Sequence, residues 1–253
     1  MGRYNSPNIL RQYVHRQIYE RFLKYIKPGM KVVNVGEKEG ILSALIAEKG
    51  AFVYSIESSR ANLLRARKFA KKLKVEKKIK FILKKPNKTF LADDFGDLVV
   101  SCFALEHIKD FDKGLLELKR IAKKRIIFAV PTCFNLCAFL ILGGGNYWSL
   151  SGNSFVCFFK GLLRVLTNIF SEGVEEKQKG MDFLHVWRYP WRVFKRIKKA
   201  GLKVVRIEAT TIGPPFFLTY FQFLRPAYRL IDRFTSFSIL KYLGYGTVFV
   251  VEK

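Results

Sequence analysis

KVVNVGEKEGILSALIAEKGAFVYSIESS, residues 31–59, decides the architecture. A short apolar run ends at Gly36, an apolar helical stretch closes at Gly50, and a second run, AFVYSIE, ends in Glu57. Strand, helix and strand in such short order form the unit of a parallel sheet. The pattern continues outward. A basic helix starts near Ser59 and leads into a third strand, IKFIL. After a polar stretch, DLVVSCF is a fourth strand, residues 112–123 a helix, and RIIFAVP a fifth strand that Pro131 ends. YPWRVFKRIKKAGLKVVRIEAT predicts a helix stopped by Gly201 and a sixth strand, and GTVFVVEK a seventh. The expectation is one α/β domain over residues 1–253. Residues 1–28 would form a helical cap, and residues 132–188 and 211–246 two aromatic-rich insertions.

Lys and Arg number 46 against 20 acids, a net charge of +26 that favours polyanionic partners. Anionic membrane, nucleic acid and a merely solvated Lys-rich surface all remain open on charge alone. The densest basic run, residues 60–85, spaces its apolar side chains as packing against a sheet requires, so its cations read as a solvated face. Cys102, Cys133, Cys137 and Cys157 form no CxxC pair and have no His at metal-ligand spacing, which argues against a metal site or a disulfide scaffold. A reducing, cytoplasmic setting is expected, peripheral to the inner face of the membrane if lipid is the partner. The run IIFAVPTCFNLCAFLILGGG approaches the roughly 20 apolar residues of a membrane span. Pro131, Thr132 and Asn135 interrupt it, and its first part is needed as the fifth strand. FFLTYFQFLRPAYRLIDRF interleaves aromatics with Arg225, Arg229 and Arg233, as an interfacial helix or a lid would.

In an open parallel sheet, ligands sit beyond the carboxyl ends of the strands. Here those loops are acidic: Glu37 and Glu39 after the first strand, Glu57 and Ser58 after the second, Glu106 with His107 after the fourth. The loop Gly36–Gly40 permits a tight turn and close backbone approach. It lacks the GxGxxG of a pyrophosphate site, and its two Glu would repel phosphates, which disfavours NAD and FAD but not a sulfonium. Glu57, about twenty residues past Gly36, is spaced to accept both hydroxyls of a ribose.

These segments, with FGDLVVSCFALEHIKDFDKGLLELKRI and the closing TVFVVEK, resemble the class I S-adenosylmethionine (SAM)-dependent methyltransferases, especially the small-molecule and lipid methylators, over roughly two thirds of the chain. The resemblance implies a Rossmann-like, seven-stranded, mostly parallel sheet with an antiparallel last strand and helices on both faces. It implies SAM as cofactor. The loop from Gly36 through Glu37 to Gly40 would wrap the methionine part, Glu57 with Ser58 the ribose, and Ser101, Cys102 and Phe103 would flank the methionine. Asn34 stands where the family has an acid, and Lys38 where it has the middle glycine.

Methyl transfer asks mainly that the acceptor be held close in a dry cavity. Where the acceptor must lose a proton, His107 and His185 are the candidate catalytic bases, histidine being the side chain that exchanges protons near neutral pH. Residues 139–142 and 216–224 are more apolar than a nucleic-acid cleft needs, so the expected acceptor is an apolar or lipid-like small molecule held under a lid built from both insertions. The rivals are an RNA or tRNA methyltransferase and an inactive methyltransferase fold serving as a membrane-associated partner.

Overall fold

The computed structural model describes residues 9–37, 39–108, 110–146, 149–176, 185–213, 220–234 and 238–253. Helix α1 (Ile9–Leu23) leads to strand β1 (Lys31–Val35). Helix α2 (Ile41–Glu48), β2 (Phe52–Glu57), α3 (Arg60–Lys72) and β3 (Ile79–Leu83) complete one half of the sheet. The other half runs through β4 (Gly96–Cys102), α4 (Phe111–Ile121) and β5 (Ala122–Pro131), then α7 (Pro190–Lys199), β8 (Lys203–Thr210) and β9 (Gly246–Glu252). Between β5 and α7 lie α5 (Leu136–Leu142), α6 (Ser154–Thr167) and the hairpin β6 (Gly173–Glu176) and β7 (His185–Arg188), while α8 (Arg225–Arg233) lies between β8 and β9.

The seven strands stand in the order β3-β2-β1-β4-β5-β9-β8. The first five are parallel, and β9 runs antiparallel to both β5 and β8. The chain thus shows the expected Rossmann-like sheet with its closing strand reversed. Strands buried on both faces read as continuous apolar runs, which is why KVVNV and GTVFVVE were legible. Val32, Val100, Ile127 and Val250 face a core formed with α1, α2 and α3, where Val14, Ile18 and Phe22 are fully buried. Val33, Val99, Phe128 and Phe249 face the other core, closed by Leu115 and Leu118 of α4 and Val193 and Ile197 of α7. Phe128 and Phe249 lie directly opposite in register and stack at 5.2 Å.

The first insertion builds its own small core from Cys133, Phe139, Leu142, Val165, Trp187 and Tyr189. Its β-hairpin escaped the sequence reading, because four-residue strands give too little alternation to recognise. Among the described residues no helix is long and apolar enough to cross a membrane, and α5 takes only seven residues of the apolar run 126–145.

Candidate functional site

Strand β1 pairs with β2 on one side and β4 on the other, so the crevice past its carboxyl end is the topological switch point where ligands bind. The Gly36 amide donates to the Ile56 carbonyl at 2.8 Å, which carries the β1–β2 register one step further and sets the turn beside Glu57. Gly36 has φ 78°, and a Cβ there would stand 2.8 Å from the Ala104 methyl. Gly40 (φ 68°) serves packing as well, since a Cβ would fall 2.2 Å from the Ala66 side chain of α3. Lys38 lies outside the described residues.

Glu37 is buried at the start of α2. One carboxylate oxygen accepts the Leu42 amide at 2.8 Å and the other the Tyr19 hydroxyl at 3.0 Å. Burial pushes this carboxyl up to about 8; the Leu42 amide opposes the shift, and the nearby Glu57 and Glu39 reinforce it. The Tyr19 hydroxyl is raised well above its ordinary range by burial and by the Glu37 charge. Glu57 is buried at the end of β2, Ser58 is exposed, and Ser59 caps α3 by accepting the Asn62 amide at 3.1 Å. Asn34 and Ser101 face inward: Asn34 donates to Ser43 Oγ at 2.8 Å and Ser101 to the Val35 carbonyl at 3.1 Å, stitching β1 to α2 and to β4.

Beyond the β4 end lies a cleft of about 180 Å³. Glu37, Glu39, Cys102, Phe103, Glu106, His107 and His185 line it, together with His15 and Tyr19 of α1 and the rings of Trp187 and Tyr245. Phe103 holds φ 50°, uncommon for a residue with a side chain, and its ring lies 5.9 Å from that of Tyr245. His107 and His185, far apart in sequence, stack with ring centroids 5.4 Å apart and planes 25° from parallel. Glu106 Oε1 is 3.9 Å from His107 Nε2, and Glu176 Oε2 is 4.0 Å from His185 Nδ1 while accepting the Trp187 indole N–H at 2.8 Å.

The structure therefore brings Gly36, Glu37, Glu57, Cys102, Phe103, His107 and His185 to one edge of the sheet. It sets Asn34, Gly40 and Ser101 behind that edge. Two expectations about the lining change. Phe139 and Leu142 are buried in the insertion's own core, and Leu140 is buried outside it; none of the three lines the cleft. Of residues 216–224, those before Tyr220 lie outside the described residues, and Tyr220, Phe221 and Phe223 are exposed. The sequence reading also missed His15, Tyr19, Trp187 and Tyr245 as lining. For the first two, the four-residue spacing on one helix was the available signal.

The donor set fits a cationic adenosyl ligand. Three carboxylates, Glu37, Glu39 and Glu57, gather at the β1–β2 edge of a chain with net charge +26, beside a turn whose glycines let Ala104 and Ala66 pack close against it. Among the described residues no group of His, Cys, Asp and Glu is placed to hold a metal ion.

Residues 33–130 match the sequence model of a methyltransferase domain. No curated protein matches the sequence. Among solved structures, a SAM-dependent methyltransferase from Aquifex aeolicus superposes with TM-score 0.56 at 17% identity, covering 98% of this chain and 94% of that one. One from Mesorhizobium loti gives 0.61 at 15%, covering 96% and 100%. The magnesium protoporphyrin IX methyltransferase of Synechocystis PCC 6803, solved with bound S-adenosylhomocysteine, gives 0.60 at 15%, covering 99% and 90%. The domain match falls on the β1–β5 half that carries the acidic crevice, and the whole chain adopts the fold that these solved structures share.

Proposed function

We propose that the chain methylates a small, lipid-like acceptor seated in the cleft beneath Trp187 and Tyr245, with the stacked His107–His185 pair taking the acceptor's proton. One observation carries this reading: two imidazoles from distant parts of the chain meet in the same cleft as the acidic cofactor edge. Bound SAM supplies an electrophilic methyl on a sulfonium. The chain's own residues do the rest. Glu57 accepts the ribose hydroxyls, and Glu37 and Glu39 offer negative charge to the cationic part of the ligand. Cys102 and Phe103 flank it, and Ser58 borders the ribose side. Asn34, Gly40 and Ser101 act from behind, holding β1, the turn and α3 in place. The rings of Phe103, Trp187 and Tyr245 exclude water, which strengthens each charge interaction inside. His185 is buried and stacked on His107; either imidazole can take the proton at one ring nitrogen, with Glu106 near His107 and Glu176 near His185 as counter-charges.

Titration calorimetry with S-adenosylhomocysteine tests the cofactor half. The wild-type chain should bind, and Glu57→Ala should lose at least about tenfold, one charged hydrogen bond being worth roughly 1.5–3 kcal/mol. Heat absent from the wild type but present in Lys38→Gly would instead assign the inactive-fold reading.

A further inference from the structure

Helix α6 is apolar on both faces. On its inner face Phe158, Leu162 and Val165 pack against the insertion's core, and glycines bring the backbones together: a Cβ on Gly161 would fall 1.7 Å from the Phe139 carbonyl oxygen, and one on Gly143 would fall 1.8 Å from that of Cys157. The α5 and α6 backbones therefore touch, and a second set of large side chains is left on the outer face of α6. Phe155, Phe159 and Leu163 are 73%, 50% and 63% exposed at the four-residue spacing of one helical stripe, and Phe170, 91% exposed, follows in the turn after the helix. A solvated helix carries polar side chains on its outer face, and α6 carries a second apolar stripe there. Residues 149–170 contain no acid, and Lys160 stands exposed beside the stripe. Helix α8 continues the surface. Tyr228 packs on Gly213, whose carbonyl lies 4.0 Å from Cys137 Sγ of α5, and α8 exposes Leu230 and Ile231.

We infer that the α6 face is seated on an anionic lipid bilayer, its phenylalanines in the acyl boundary and Lys160 among the headgroups. Charge selects this occupant. Two copies of a +26 chain repel one another across an acid-free face, whereas an anionic leaflet attracts it. An apolar stripe edged by cations is also the composition that interfacial helices use. The placement has a consequence for acceptor supply. Val165 of α6 packs in one cluster with Trp187, and Trp187 lines the cleft, so the docked face and the cleft are two sides of one small module. As an account of where a lipid-like acceptor enters, this rests on the methyltransferase reading; as an account of docking, it does not.

The test is co-sedimentation of the full chain with phosphatidylcholine vesicles containing or lacking phosphatidylglycerol, alongside the triple variant Phe155→Ser/Leu163→Ser/Phe170→Ser. These positions are exposed, so the variant should keep its melting temperature and its S-adenosylhomocysteine heat. The wild type should pellet with the anionic vesicles, less at high salt, and the variant should bind them at least tenfold more weakly. Equal partitioning of variant and wild type overturns the inference. So does a wild type that stays in the supernatant and is dimeric by light scattering while the variant is monomeric, or one that ignores vesicles and binds RNA with a steep salt slope. Vesicle binding lost in the variant, with no cofactor heat in either protein, keeps the docking face and removes the enzymatic reading.

Discussion

Glu37 links the acidic edge of β1 and β2 to pH. Burial favours its neutral form, so the folded chain holds this proton up to about pH 8, whereas the unfolded chain releases it near the ordinary value of 4.5. The folded state binds more protons between those values, so stability declines as pH rises through that window and levels off above it. Melting temperatures from pH 5 to 8.5 should fall in the wild type and fall less in Glu37→Gln, whose amide oxygen can still accept from the Leu42 amide while its NH2 donates to the Tyr19 oxygen; parallel curves would remove Glu37 as the cause. A cation bound beside Glu37 favours its ionised form. S-adenosylhomocysteine lacks the sulfonium charge, so SAM should release more protons on binding at pH 7 than S-adenosylhomocysteine does, measured by calorimetry in buffers of different ionisation enthalpy. Equal release places the sulfonium away from Glu37. Glu57 and Gly36 were legible in the sequence because strand ends and spacing announce them. The Tyr19–Glu37 bond was not: it joins a helix to a loop across 18 positions through tertiary packing alone.

At the level of elements, α1 is pinned to the far edge of the sheet by one buried carboxylate. Glu208 of β8 pairs with Arg21 at 3.1 Å, Lys24 at 3.3 Å and Arg206 at 2.7 Å, and both Arg21 and Glu208 are buried. Removing one partner of a buried pair leaves the other charge uncompensated, at about 3 kcal/mol. Glu208→Ala should therefore lower the melting temperature by roughly 6 to 12 °C; a change under about 1 °C would show that α1 is held by its apolar face alone. The βαβ alternation made seven strands readable from residues such as Val32, Val33 and Val35, buried on both faces. The insertions resisted the same reading. In residues 136–142 an apolar helix, a span fragment and a pocket wall look alike, and only the contact of Gly161 with the Phe139 backbone decides among them.

For the molecule as a whole, a charge of +26 means self-repulsion in the compact state. Added sodium chloride screens it over about 10 Å at 0.1 M. Raising salt from low levels should therefore raise the melting temperature even though exposed ion pairs such as Lys113–Asp110 weaken; a fall would mean that local pairs outweigh the global field. The sheet order carries one more consequence. Strand β9 lies between β5 and β8, both made before it. While a ribosome is still synthesising residue 246, the growing polypeptide has a parallel half-sheet ending in the open edge of β5 and a β8 with no neighbour on either side. The two halves of the sheet are zipped together last, by a single segment that is buried almost throughout. Nascent protein at that moment is at its most prone to aggregate, and a chaperone's greatest effect falls in that interval.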